Sequence, residues 1–190
     1  DDNASAIICS VTNKRLYISV AGGANWTEPQ PQVNFDKPWS QVDIDNDGSV
    51  FVAADATYQL KKIYKSLDSG ANWTSTNTTA GYNDIRIYNI AVDEDGSYMF
   101  VAPSGFNNTY LTYPHKSTDG GSSFSVITRN ANPNNGKARC NKDGTVLAYL
   151  NMDSFGDFAS YNWSTDGGAN WNSKNYGGAG GYSGGGSGTN

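Results

Sequence analysis

One phrase recurs four times along this chain. It reads ISVAGGANWTE from Ile18, KSLDSGANWTS from Lys65, KSTDGGSSFSV from Lys116 and WSTDGGANWNS from Trp163. The serines near its start, Ser19, Ser66, Ser117 and Ser164, are spaced 47, 51 and 47 residues apart. A second marker falls between them: VDIDNDGSVFVAA, AVDEDGSYMFVAP and RCNKDGTVLAYL, with Gly48, Gly96 and Gly144 spaced 48 and 48 apart. Two markers in register mean that the chain repeats one structural unit, each unable to bury its apolar face alone.

Apolar runs separated by turn residues fill each cycle and read as short strands. In the second cycle SQVDI leads through DNDGS into VFVAA, and KKIYKS leads through LDSGA into NWTST. No segment keeps a 3.6-residue apolar period. Four-stranded antiparallel units at this period point to an all-β chain of β-propeller blades. The expected blades are 1–30, 38–79, 86–130 and 136–175. DDNASAIICSV aligns with DNDGSVFVAAD, so the first blade lacks its inner strand. The Gly-rich segment 176–190 reads as a flexible tail. It could still donate backbone hydrogen bonds to its own ring or to a neighbouring subunit.

At each corner the serine is followed by an aspartate that can bind N–H groups of its own turn. Asp68, Asp119 and Asp166 fill this place. Gly70, Gly121 and Gly168 supply left-handed dihedrals, and a ring, Trp26, Trp73, Phe124 or Trp171, follows to enter the blade core. This S-x-D-x-G-x-x-W pattern resembles the Asp-box, or bacterial neuraminidase repeat, of sialidases, sortilin-type receptors, some endoglucanases and photosystem assembly factors. The resemblance covers all four cycles and departs at the first, where Ala21 replaces the aspartate. It implies a propeller in which the corners are structural and lie on the outer hairpins, away from any substrate face.

The two cysteines sit in the first and last cycles. If the four blades close into a ring, Cys9 and Cys140 lie across the seam, and a disulfide there would stabilise by about 4–5 kcal/mol. An open row would keep them too far apart.

Composition narrows the function. Net charge is -5 and Lys plus Arg number only 13, which argues against nucleic acid. No apolar run approaches a membrane span. Aromatics reach 13%, too many for a disordered chain of low net charge. The chain begins with Asp1, which fits a processed chain or a piece of a longer one. A polar, aromatic composition and Asn-x-Ser/Thr sequons at Asn3, Asn25, Asn72, Asn77, Asn107 and Asn162 suggest an extracellular glycoprotein.

Catalytic signals are weak. Sialidases with these boxes require an arginine cluster, whereas Arg15, Arg86, Arg129 and Arg139 are scattered. Glycosidases need two facing carboxyls; Asp84, Asp153 and Asp157 are the candidates. DIDNDGS opens like a calcium loop, with Asp43, Asp45 and Asp47 at alternate positions, but the later ligand positions hold Phe51 and Ala54, so a plain turn is the better reading. The lone His115 is expected on an exposed strand. Tyr82, Tyr88, Tyr110, Tyr113 and Phe106 could stack on sugars or fill gaps between blades. No cofactor is implied. The expected function is a secreted, non-enzymatic structural or adhesion protein that self-assembles or joins a surface assembly, a filament included. The alternatives are a lectin-like carbohydrate-binding propeller and a fragment of a glycoside hydrolase.

Overall fold

The computed structural model describes residues 5–11, 13–29, 36–55, 57, 62–78, 85–105, 113–127, 137–152 and 158–175. Among them the chain is all β. The first sheet pairs β1 (Ile7–Ser10) with β2 (Leu16–Ser19). The second runs β3 (Trp39–Ile44), β4 (Phe51–Asp55), β5 (Lys62–Ser66) and β6 (Thr74–Asn77) as an antiparallel meander. The third repeats it with β7 (Ile85–Val92), β8 (Met99–Gly105), β9 (His115–Ser117) and β10 (Ser125–Val126). The fourth has β11 (Ala138–Cys140), β12 (Leu147–Met152), β13 (Phe158–Ser164) and β14 (Asn172–Asn175). In the first sheet the outer strand is reduced to a bridge between Ile18 and Thr27.

Sheets stack in chain order: β1 and β4 pack on strands of the following sheet, and β3, β7 and β11 lie one against the next. Strand alternation explains the cores. Val50, Val52 and Ala54 point forward from the second sheet, where Ile90, Val92, Met99 and Val101 meet them. Tyr98, Phe100 and Ala102 point forward from the third, onto Ala138, Leu147 and Tyr149. Aromatic rings supply much of this burial, since Trp171 meets Tyr149 edge-on at 5.2 Å and Phe100 at 5.9 Å. Such pairs add about 0.5–1.5 kcal/mol each beyond the area they bury.

This stacking corrects several expectations. Cys9 and Cys140 are free thiols. Cys9 is exposed on the first sheet and Cys140 packs into the interface of the third and fourth. Two sheets intervene at about 10 Å each, well beyond disulfide reach. Trp26, expected in the core, is 45% exposed, whereas Phe124 is buried and Trp73 and Trp171 pack against buried clusters. Each ring is covered by the sheet before it, and among the described residues none precedes the first. His115 is buried, not exposed. It faces backward opposite Val101 in the ladder, the side each internal sheet buries.

Candidate functional site

The polar residues singled out by the repeat lie at one end of the sheets, where the first strand turns into the second and the third into the fourth. At the second corner the Ser66 hydroxyl oxygen accepts the Gly70 N–H at 2.8 Å while its own O–H reaches Asp68 Oδ1 at 2.7 Å. Asp68 Oδ1 also accepts the Asn72 N–H, and its Oδ2 the Asn72 side-chain amide, both at 2.7 Å. Ser117 and Asp119 repeat this with Gly121 and Ser123. Ser164 and Asp166 do so with Gly168 and Asn170. At the first corner Ser19 still accepts the Gly23 N–H at 2.9 Å, but Ala21 offers no carboxylate. The Trp73 and Trp171 indoles donate to the Gly70 and Gly168 carbonyls.

These bonds favour the ionised acid. The Asn170 N–H holds Asp166 down at about 2, and donors from Ser123 hold Asp119 lower still. Asp68 is depressed by the Asn72 N–H in the same way.

The inner turns are built on a different plan. Asp47, Asp95 and Asp143 each accept the N–H two residues on, at 2.9, 2.9 and 3.1 Å. Asp93 accepts the Tyr98 N–H at 2.9 Å and Asn141 accepts the Val146 N–H at 2.8 Å. Asp45 fills the equivalent place, bonded to the Ser49 hydroxyl at 2.8 Å. Burial pushes Asp45 and Asp93 up from the ordinary carboxylate range, while the Val50 and Tyr98 N–H groups oppose it. Asp43 points instead to the next sheet, where its Oδ2 accepts the Val92 N–H at 2.9 Å; burial raises it too. The alternating oxygens of DIDNDGS therefore serve the Val92 and Ser49 N–H groups and the Ser49 hydroxyl. Among the described residues no three acidic, His or Cys side chains converge as metal ligands.

Neighbouring turns join in a ladder. The Asn46 N–H donates to the Glu94 carbonyl at 3.1 Å, and the Glu94 N–H to the Lys142 carbonyl at 2.9 Å. Beside it lies a cleft of about 400 Å³ lined by 44–46, 92–94 and 140–142, the same three positions of three sheets. Cys140 borders it, its thiol pushed up to about 12 by burial and by Asp43 and Asp93.

Two lysines were not singled out from the sequence. The Lys65 ammonium donates to the Gly120 carbonyl and to Ser122 Oγ in the next sheet. Lys116 donates to the Gly167 carbonyl at 2.7 Å. Their signal was the repeated Lys-Ser that opens the second and third phrases. Ile18 and Trp163 stand at the matching places.

Among the described residues the catalytic candidates are not brought together. Arg15 pairs with Glu28 and Asp36 beside the first sheet, while Arg139 lies on β11. Glu94 pairs with Lys142. Asp84, Asp153, Asp157, Arg129 and the Arg86 side chain lie outside the described residues, as do Tyr82, Phe106, Tyr110 and the Tyr88 side chain. Of the sequons, Asn25, Asn72 and Asn77 are exposed; Asn3, Asn107 and the tail 176–190 are outside the described residues. Asn162 is a correction: it is 1% exposed, facing the third sheet opposite Tyr149. Its Nδ2 is buried and cannot carry a glycan in the folded chain.

No family model matches the chain, and no curated protein does. Solved structures do. A Niastella koreensis GH74 enzyme is 20% identical with a TM-score of 0.66, over 92% of this chain and 28% of that one. A GH74 xyloglucanase from Xanthomonas campestris is 14% identical, TM-score 0.60, over 90% of this chain and 28% of that one. A nidogen/laminin complex matches at 14% identity and TM-score 0.62, over 88% of this chain and 60% of that one. The chain thus spans little more than a quarter of the GH74 enzymes. At these identities the likeness establishes the propeller fold.

Proposed function

We propose that the chain is a non-enzymatic Asp-box repeat protein of an extracellular assembly, joining copies of itself or other surface proteins, a filament included. One observation carries the reading. The carboxylates that the repeat multiplies are spent on their own turns and sheets: Asp68, Asp119 and Asp166 at the corners, Asp45 and Asp93 in the inner turns, Asp43 across an interface. Exposed sequons at Asn25, Asn72 and Asn77 support a glycosylated, secreted chain. Sedimentation velocity of the purified chain tests it, with oligomers or filaments as the expected result. A strict monomer that cleaves xyloglucan or sialosides would overturn it and favour a glycoside hydrolase fragment.

A lectin-like role is the second reading. The strand ends joined by 56–61, 79–84, 106–112 and 153–157 all lie at the end opposite the corners. Tyr82, Phe106 and Tyr110 belong to these connections, and Tyr113 borders one. Binding on a glycan array, abolished by Tyr110→Ala or Tyr113→Ala, would replace the structural reading with this one.

A further inference from the structure

Among the described residues consecutive sheets meet by one rule, and the rule leaves two faces uncovered. Position by position, Val50, Val52 and Ala54 of the second sheet match Tyr98, Phe100 and Ala102 of the third, and all six are buried by the sheet that follows. The fourth sheet carries Val146, Ala148 and Leu150 at these places. There Val146 is 40% exposed, Leu150 37%, and Ala148 is exposed. Trp163 and Tyr161 extend the same face, ring on ring at 4.9 Å. Such an apolar surface is composed like the interior of the molecule.

The first sheet has the opposite vacancy. Its Ile7, Cys9 and Trp26 match Phe51, Ala53 and Trp73, which take up the forward face of the sheet before them. Here Cys9 and Trp26 are exposed.

The corners show how the two faces fit. At each internal contact a side chain from the earlier sheet reaches a glycine of the next corner. Ile18 closes on Gly70, where an added Cβ would fall 2.2 Å from its Cδ1. Lys65 closes on Gly121, and Lys116 reaches the Gly167 carbonyl. Over Gly23 the nearest atom is Ile7 of the same sheet, at 3.7 Å, which leaves room for one more side chain. In the fourth sheet the residue at the closing place is Trp163. Two substitutions answer each other. The first corner has Ala21 in place of the aspartate, and the fourth sheet has Trp163 in place of the lysine, so an uncharged ring meets an uncharged turn.

We infer that a second copy of this chain docks head to tail, the forward face of its fourth sheet covering the first sheet of its neighbour, with Trp163 over Gly23. The inference rests on the assembling role proposed above. It continues the interface that already joins the sheets within one chain, so the occupant is a propeller sheet of this chemistry. Contacts of this heterologous kind close into rings when their rotation permits. Two copies carry eight sheets, and closed propellers have about 4–8 blades.

Native mass spectrometry and sedimentation across a concentration series test it on the full chain. The wild type should associate, and Trp163→Glu or Trp26→Glu should each weaken association at least tenfold while leaving the monomer folded by circular dichroism. A cross-link adds a readout independent of stability. The rings of Phe100 and Tyr149, which match Ala148 and Cys9, lie 6.3 Å apart. Stacked sheets keep their backbones about 10 Å apart, beyond direct disulfide reach, so Ala148→Cys should give covalent dimers or multimers with a bis-maleimide of about that span, and none when Cys9→Ser is added. Association that ignores both glutamates and yields no such link would overturn the docking face and leave the assembling role standing. A chain that stays monomeric across the whole concentration series would overturn the docking of a second copy and leave of the assembling role only the joining of other surface proteins.

Discussion

Val50 lies directly beneath Gly96 of the following sheet, so close that a Cβ on that glycine would fall 2.5 Å from Val50 Cγ2. Tyr98 stands in the same relation to Gly144, at 2.6 Å from its Cγ. The glycine that the second marker repeats is thus a contact between sheets as well as a turn residue.

Gly96→Ala should accordingly cost about 2–4 kcal/mol, combining a left-handed dihedral of +73° with overpacking. Gly120→Ala is the control. Its φ is +61° but its nearest neighbour is the Gly96 carbonyl at 3.6 Å, so only the dihedral penalty of about 1–2 kcal/mol remains. Urea denaturation of both variants measures the difference, and adding Val50→Ala should recover part of the Gly96→Ala loss. Equal costs for the two alanines would contradict the inter-sheet contact.

Ser117→Ala removes the acceptor for the Gly121 N–H and the donor to Asp119 in a buried corner. Leaving such a donor unsatisfied costs about 1–3 kcal/mol. Ser125→Ala should change stability by less than about 0.5 kcal/mol, as surface substitutions do, because its hydroxyl makes one exposed 3.4 Å bond. Chemical denaturation would reject the corner as a structural pin if the two variants behaved alike.

The period, the strands and the corners were legible in the sequence because each is local: a turn carries its serine, aspartate and glycine within a few residues. Burial was less legible, because it is settled by the neighbouring sheet. Trp26 obeys the same local pattern as Trp73 and Trp171 and is exposed only because no described sheet covers it. His115 and Asn162 look like surface residues in an alternating strand, yet both occupy the backward face that internal sheets bury. Nor could spacing decide the seam, since Cys9 and Cys140 pair only if the first and last sheets adjoin. Lys65 and Lys116 were readable as a repeated Lys-Ser, but what their ammonium groups touch lies fifty-odd residues away.

The thiols give a further prediction. Cys140 is partly buried and its thiol is pushed up to about 12, so almost none is thiolate near neutral pH, the form that reacts. Cys9 is exposed. In dilute native solution one thiol per chain should react quickly with a disulfide reagent, and the second only after denaturant is added. Cys9→Ser should abolish the fast phase; two fast thiols in the native chain would refute the burial of Cys140.

Acid should act on stability in two opposite steps. Folded Asp43, Asp45 and Asp93 hold their protons more tightly than an unfolded aspartate, because burial penalises the charge. As pH falls from neutral towards about 4, the ordinary aspartate value, they protonate first in the folded chain, and stability rises. Asp68, Asp119 and Asp166 run the other way. Their folded values are depressed, Asp166 to about 2, so the stability they contribute is complete above about 4 and drains away as pH drops towards their folded values. Melting temperature should therefore peak near pH 4 and fall steeply below it. Asp93→Asn tests the upper limb with an isostere that the fold already uses, since Asn141 accepts the Val146 N–H from the same place in the fourth sheet. This variant should melt higher than the wild type at pH 7 and gain less on acidification. A wild-type melting temperature that declines steadily from pH 7 to 4 would show that the buried carboxyls do not govern this limb.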